Sequence, residues 1–227
     1  MAQVGLSAVS KRALAGHRAT LANIQDQIYS PLYDSATFTH NSTTSLSFFA
    51  VPRGQGTTSA PGATGTKTYN DTNLQLAGQL ALGNRFYCTG IEFQIFPGVN
   101  PGRGGVADST AGYFTNDIYT LAKSAYVQFT IQNRDYCIDG PLLNFPPANR
   151  LTGYAAAATN LTTGAATYSE VEYASIGGAP YNIVPLYIEA TQAFSVNVFW
   201  PAAVSLPSTQ NARIFCRLRG RLIRNAQ

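Results

Sequence analysis

The sequence predicts an all-β chain folded as an antiparallel β-sandwich, and three observations carry that prediction. Short runs in which apolar and polar residues alternate recur from residue 35 to the C-terminus, and clusters of Gly, Pro, Asn and Ser separate them. One internal segment only reads as helix, so strands do not alternate with helices as they do around a parallel sheet. No stretch repeats another, which disfavours two stacked copies of one domain.

The first segment is the exception to the β pattern. From residue 6 to 28 there is no Pro, and Leu14, His17, Leu21, Ile24 and Ile28 recur at spacings of three and four, which predicts an amphipathic helix ended by Pro31. With Lys11, Arg12 and Arg18 on its other sides, residues 1–33 read as an N-terminal helical arm beside a sandwich domain at 34–227. The alternative is a helix packed on its own sandwich.

Strand character begins near Ser35, with Thr37 and Phe38 opening one strand and residues 46–51 a second that Pro52 to Gly56 breaks. Residues 57–66, a run of small residues, predict a mobile surface loop. Residues 85–96 form a long strand with Ile91, Phe93 and Ile95 on one face and Glu92 and Gln94 on the other. A Gly/Pro loop spans 97–105, and residues 115–123 open with Thr, Asn and Asp as a short inserted helix with an N-cap would. In 126–132, Val127, Phe129 and Ile131 alternate with Gln128, Thr130 and Gln132. Residues 153–167 read as a second small-residue loop. Strands follow at 168–173, 183–189, 194–200 and 213–224, with a tight connection at 190–193. The count is about eight to ten strands, for which a single jelly roll is the leading topology.

The 227 residues suffice for one large β domain without staples. Charged residues make up 11% of them, against ~25% in an ordinary soluble domain, so the surface is mostly neutral and polar, as suits a protein packed against copies of itself. The net charge of +4 is concentrated at the two ends: residues 213–224 hold five Arg and no acid, and the middle of the chain is net negative. That placement points to an anionic partner, nucleic acid or lipid headgroups. Cys88, Cys137 and Cys216 lack metal-ligand spacing, cannot all pair, and lie in apolar strand patterns, so they read as reduced core thiols from a reducing cytosol. Residues 1–30 lack the apolar core of a signal peptide, and no run approaches a membrane span, so neither general secretion nor membrane insertion is expected.

The last strand is the sharpest feature. Ile214, Cys216, Leu218 and Leu222 fall on one parity, and Arg213, Arg217, Arg219 and Arg221 on the other, so one face packs a core while the other presents four guanidinium groups. Arg outnumbers Lys twelve to three, the preference of sites that engage phosphates or carboxylates in fixed geometry. Four in register would repel one another unless anions or a neighbouring subunit's carboxylates lie opposite; the alternative is a solvated basic face.

A search for catalytic chemistry yields little. His17 and His40 are the only histidines, and neither has a partner at metal-ligand spacing or a GxSxG nucleophile elbow to serve. Glu170 and Glu172 share a strand face about 7 Å apart, within reach of glycoside chemistry, although outward carboxylates on a strand are usually solvated or paired with Arg. Asp135 and Asp139 flank Cys137 and form a weak Ca²⁺ candidate. The PGRGG run at 101–105 lacks the GK[ST] of a phosphate loop. Tyr29, Tyr33, Tyr69, Tyr113, Tyr154 and Tyr181 fall outside the strand core, as expected of sandwich ends, protein contacts or sugar binding. No cofactor is expected.

The succession IYSPLYDSATF, LSFFAVPRGQG, KTYNDTNLQLAGQLALGNRFYCTGIEFQIFPG and PLYIEATQAFSVNVFWP leading to RIFCRLRGRLIR resembles jelly-roll capsid proteins of small tailless icosahedral bacteriophages, over residues 28–224. The resemblance implies a non-enzymatic, shell-forming virion protein, assembled in the host cytoplasm. Its partners would be copies of itself, other virion proteins and, through its basic residues, non-specific nucleic acid or an internal lipid membrane. Members of this kind with an internal membrane often carry two jelly rolls per chain, for which 227 residues without a repeat are short. This chain would then be a single-jelly-roll shell protein or a minor vertex component. On this reading Arg213, Arg217, Arg219 and Arg221, with Lys11, Arg12 and Arg18 as auxiliaries, contact anionic material or neighbouring subunits. Two other classes compete: a carbohydrate-binding or adhesive sandwich of a viral spike or fibre, suggested by the exposed Tyr and Asn, and a glycosidase-like sandwich using Glu170 and Glu172.

Overall fold

A computed structural model describes residues 25–99, 111–146, 149–159, 166–177 and 179–225. Two antiparallel sheets face each other across one apolar core. The first contains β1 (Gln25–Ile28), β2 (Leu32–Phe38), β4 (Asn84–Phe96), β9 (Tyr181–Ile188) and β11 (Ala212–Asn225), in the order β1-β11-β4-β9 with β2 also on β11. The second runs β3 (Ser45–Phe48), β10 (Phe194–Phe199), β5 (Tyr126–Ile131) and β6 (Arg134–Asp139). A separate hairpin joins β7 (Asn149–Thr159) to β8 (Ala166–Gly177), and helix α1 (Ala111–Ala122) leads into β5.

The core follows from the alternation. Phe86, Cys88 and Ile91 of β4, Ile214, Cys216 and Leu218 of β11, Val127 and Phe129 of β5, and Val196 and Val198 of β10 are all fully buried. Aromatic edges lock the layers: Phe38 meets Trp200 at 4.9 Å and Phe48 meets Phe93 at 5.7 Å, both edge to face.

Strand β11 pairs with β4 along its length, and its other edge is shared by β2 (residues 212–218) and β1 (residues 222–225). The register shifts at Arg219/Gly220, where Thr89 is an extra residue on β4. The Cα of Gly220 lies so close to the Tyr87 carbonyl that a Cβ there would collide with it. Past this bulge the simple parity fails: Ile223 is buried and Leu222 only half-buried, against the expectation that Leu222 points inward.

The excursion between β3 and β4 closes the outer edge of β2. Asn73 donates its backbone N–H to the Tyr33 carbonyl (3.3 Å) and receives the Tyr33 N–H on its side-chain oxygen (3.0 Å), while its amide donates to the Pro31 carbonyl (2.8 Å). These bonds occupy groups that an edge strand would otherwise offer to another chain. On the core side, Asp34 is fully buried and accepts from Lys67 Nζ at 2.7 Å and from the Phe49 N–H at 2.6 Å. Burial pushes the Asp34 carboxyl up, and the Lys67 charge opposes that rise.

Several expectations change. Residues 25–28, assigned to the arm helix, are strand β1, because pairing of Asp26 with Arg224 and of Ile28 with Leu222 along β11 overrides the helical spacing. The sandwich therefore begins within the predicted arm; the rest of that helix, with Lys11, Arg12, His17 and Arg18, lies outside the described residues. Strand β2 ends at Phe38 instead of starting there. The 57–66 loop is exposed at its tip but anchored at its foot, where Ser59 is buried. Residues 153–159, read as loop, belong to β7. The inserted helix starts at Ala111, and Asp117 is no cap: it is buried and accepts from the Ser208 N–H (3.1 Å) and hydroxyl, tying the turn before β11 to α1.

Lys67→Met should leave the Asp34 carboxylate buried without its counter-charge and cost about 3–5 kcal/mol, read as a lower urea midpoint, and adding Asp34→Asn should recover part of the loss.

Candidate interaction surface

The outward face of the first sheet carries the predicted arginine row, and it divides into a closed end and an open end. At the closed end Arg213 is covered by the β3–β4 excursion. Its guanidinium donates to Asp71 Oδ1 (3.0 Å), the Asn70 carbonyl (2.7 Å) and the Ser59 hydroxyl (2.9 Å), it lies over the Phe215 ring at 4.3 Å, and the side chain is 15% exposed. Asp71 itself is fully buried. Burial pushes its carboxyl up, but donors from the Thr68 N–H, the Thr58 hydroxyl and both the N–H and hydroxyl of Ser59 outweigh that and hold it well below the usual carboxylate range.

In the middle, Arg217 reaches Glu92 of β4 at 3.1 Å, with the carboxylate nearly buried and the arginine 44% exposed. Arg224, near the end of β11, makes two bonds to Asp26 Oδ2 at 2.9 and 3.0 Å. Within the predicted row, Asp71 and Glu92 of the same chain thus stand opposite Arg213 and Arg217, where anions or another subunit's acids were expected, and outside the row Asp26 stands opposite Arg224.

Arg219 and Arg221 differ. Arg219 donates to the Tyr29 hydroxyl at 3.0 Å, and Arg221 is exposed with neither a hydrogen bond nor an ion pair among the described residues. They border a shallow groove of about 440 Å³ with Tyr29, Tyr87, Thr89 and Asn182. Beside it Tyr87 and Tyr187 stand 4.9 Å apart, and Arg85 lies 5.5 Å above Tyr187 while pairing with Glu189 at 2.7 Å. The groove sits over the Thr89 bulge, whose hydroxyl donates to the Arg219 carbonyl (3.3 Å).

The remaining candidates have structural partners. His40 Nδ1 accepts from the Leu206 N–H (2.9 Å). Asp135 accepts from Gln128 and Thr130, both at 2.9 Å, and Asp139 accepts from the Tyr181 hydroxyl at 2.7 Å and the Gly140 N–H. That acceptor pushes the Tyr181 hydroxyl up to about 12 and itself falls below the usual carboxylate range. Among the described residues no three His, Cys, Asp or Glu groups converge as metal ligands. Glu170 and Glu172 occupy alternate positions of β8, opposite Ala156 and Tyr154. The three cysteines are free; burial pushes the Cys88 thiol up to about 12 and Cys216 well above its ordinary value. Tyr33 donates to the Tyr69 carbonyl (2.6 Å), and Arg53 stacks over Tyr69 at 3.8 Å. PGRGG at 101–105 lies outside the described residues. No helix is long and apolar enough to cross a membrane among the described residues.

Sequence reasoning missed the partners. Glu92 stands on the polar parity of β4, so aligning β4 with β11 would have set it opposite Arg217. Asp71 comes from an irregular excursion, and no periodic signal marks it.

Comparison with protein-family models, curated proteins and solved structures finds no match to this chain.

The depressed Asp71 carboxyl stabilises the fold fully above the ordinary carboxylate value, and that share is lost as pH falls below about 4. Asp71→Asn should thus lower stability at neutral pH and flatten the acid limb of a urea-midpoint series. Asp34, raised in the fold, acts with the opposite sign and is unchanged in that variant.

Proposed function

We propose that this chain is a structural virion protein, a shell-forming capsid subunit built on a single jelly roll. The observation that carries the reading is the way the strands pair. Leaving aside β1 and the β7–β8 hairpin, eight strands remain, and the first pairs with the last (β2 with β11), the second with the seventh (β3 with β10), the third with the sixth (β4 with β9) and the fourth with the fifth (β5 with β6). That is one long antiparallel ribbon. Rolled so that β11 meets β4 and β10 meets β5, such a ribbon gives two four-stranded sheets, and this pairing is what supports the jelly-roll reading.

Fold does not imply function, so the role rests on the surfaces. The outward face of the second sheet is mostly uncharged, with Ser45 and Ser47 of β3, Gln128 and Thr130 of β5, Ser195 and Asn197 of β10 and the stacked Tyr126 and Phe199, while Asp135 of β6 is held by Gln128 and Thr130; such a surface can repeat against copies with little repulsion. Among the described residues the β7–β8 hairpin, eleven and twelve residues long, joins neither sheet and meets helix α1 through β7, so much of the ribbon is left for a neighbouring subunit to cover. Of the residues weighed for chemistry, His40, Asp135 and Asp139 are engaged in holding turns and strands. Neighbouring subunits would supply the contacts, with other virion proteins at specialised positions, and assembly would occur in the host cytoplasm. The adhesive-sandwich reading gains less, because three of the tyrosines that suggest it are engaged within the chain: Tyr69 lies under Arg53, Tyr33 donates to the Tyr69 carbonyl and Tyr181 donates to Asp139.

Purified protein, concentrated over a range of salt and examined by electron microscopy, should form closed particles of uniform diameter, since symmetric repetition of weak contacts makes a shell. A monomer that stays dispersed under all these conditions, or that binds a defined sugar in a glycan screen, would overturn the proposal.

A further inference from the structure

We infer that the groove between Arg219 and Arg221 binds single-stranded nucleic acid through its backbone and base faces. The inference rests on the shell-protein reading above and specifies its anionic partner. Of the five arginines on β11, Arg213, Arg217 and Arg224 are neutralised by Asp71, Glu92 and Asp26, so their charge is spent within the chain. Among the described residues neither Arg219 nor Arg221 forms an ion pair, Glu92 acting on Arg219 only at longer range while it pairs with Arg217, and the two arginines project from alternate positions of one strand, about 7 Å apart. That separation suits successive phosphates of an extended strand.

The aromatic groups complete the site. Tyr29 is 65% exposed and its hydroxyl fixes the Arg219 guanidinium, while Tyr87 and Tyr187 form a tilted pair on the neighbouring strands. Exposed aromatic rings interleaved with guanidiniums are the elements of sequence-tolerant single-strand binding: bases stack on rings, phosphates meet cations. Asn182 and Thr89 add polar groups at the groove wall. A duplex fits less well, because it holds its bases inside and cannot use the rings. A membrane fits less well too, because its headgroups offer no base faces for the Tyr29, Tyr87 and Tyr187 rings to stack on.

Fluorescence anisotropy of the full chain with a labelled oligothymidylate of about twenty nucleotides tests this. Arg219→Gln with Arg221→Gln should weaken binding at least about tenfold and make the slope of log affinity against log salt shallower by about 1.4, the value for two lost phosphate contacts on a single strand. Arg221→Gln alone, whose side chain has no hydrogen bond or ion pair to lose among the described residues, should give about half of that slope change and guards against misfolding of the double variant. Tyr29→Ala should weaken binding at least about fivefold, and Tyr29→Phe should restore most of it, because the ring stacks. Arg134→Gln, which removes an exposed charge on the second sheet, should change affinity less than about twofold. The inference is overturned if wild-type protein does not bind the oligonucleotide, if Arg134→Gln weakens it as much as the groove variants do, or if phosphatidylglycerol vesicles bind at the groove and the oligonucleotide fails to compete. Micrographs of the same preparations separate the two claims: particles that persist in the groove variants with lost binding support both, whereas oligonucleotide binding without particles removes the shell and keeps the groove.

Discussion

Strand β11 is hydrogen-bonded on both edges, to β4 on one side and to β2 and then β1 on the other, and the rest of the sandwich is placed by that ladder. Its inward residues, Ile214, Cys216 and Leu218, are fully buried, so a one-residue slip would drive arginines into the core. Register is therefore strongly specified. The one irregularity, the Thr89 bulge opposite Arg219/Gly220, is accommodated by a glycine at the point where β4 comes closest. That bulge divides the arginine face into its two chemically different ends.

At the closed end, the β3–β4 excursion grips β2 from both sides. Lys67 enters the core to meet Asp34, and Asp71 with Ser59 passes over the outside to hold Arg213. Both carboxylates are fully buried, yet they titrate in opposite directions. Asp71 accepts from Ser59, Thr58 and Thr68 as well as from Arg213, and these donors stabilise its charge, whereas at Asp34 the cost of burial outweighs Lys67 and the Phe49 and Ser35 N–H groups. A neutral-surfaced protein thus concentrates part of its charge in internal ties and leaves Arg219 and Arg221 open.

Much of the sandwich was legible from local patterns. The alternation in β5, β10 and the first part of β11 survives as burial, since side chains on a two-sided strand must choose core or solvent, whereas in β4 it breaks at Glu92, which is buried against Arg217, and at Ile95, which is only half-buried. The failures have physical causes too. Ile24 and Ile28 match a helical spacing, but Ile28 pairs beside Leu222, a partner nearly two hundred residues away that no window contains. The alanines of β7 carry no strand propensity and read as loop, and the pairing with β8 is what makes them extended. The arginine parity was visible, whereas its neutralisation was not, because Asp71 lies in an irregular segment and Asp26 in a strand that resembled helix. The open groove depends on a bulge, which has no signature in alternation.

Amide hydrogen exchange on the isolated chain tests most directly the claim that the excursion seals the edge of β2 and encloses Arg213. The Ser59 and Thr68 amides, which donate to Asp71, and the Tyr33 amide, which donates to Asn73, should exchange as slowly as amides of the edge strands. Exchange at those three positions at unprotected rates, while β11 remains protected, would contradict it and return Arg213 to the solvent face.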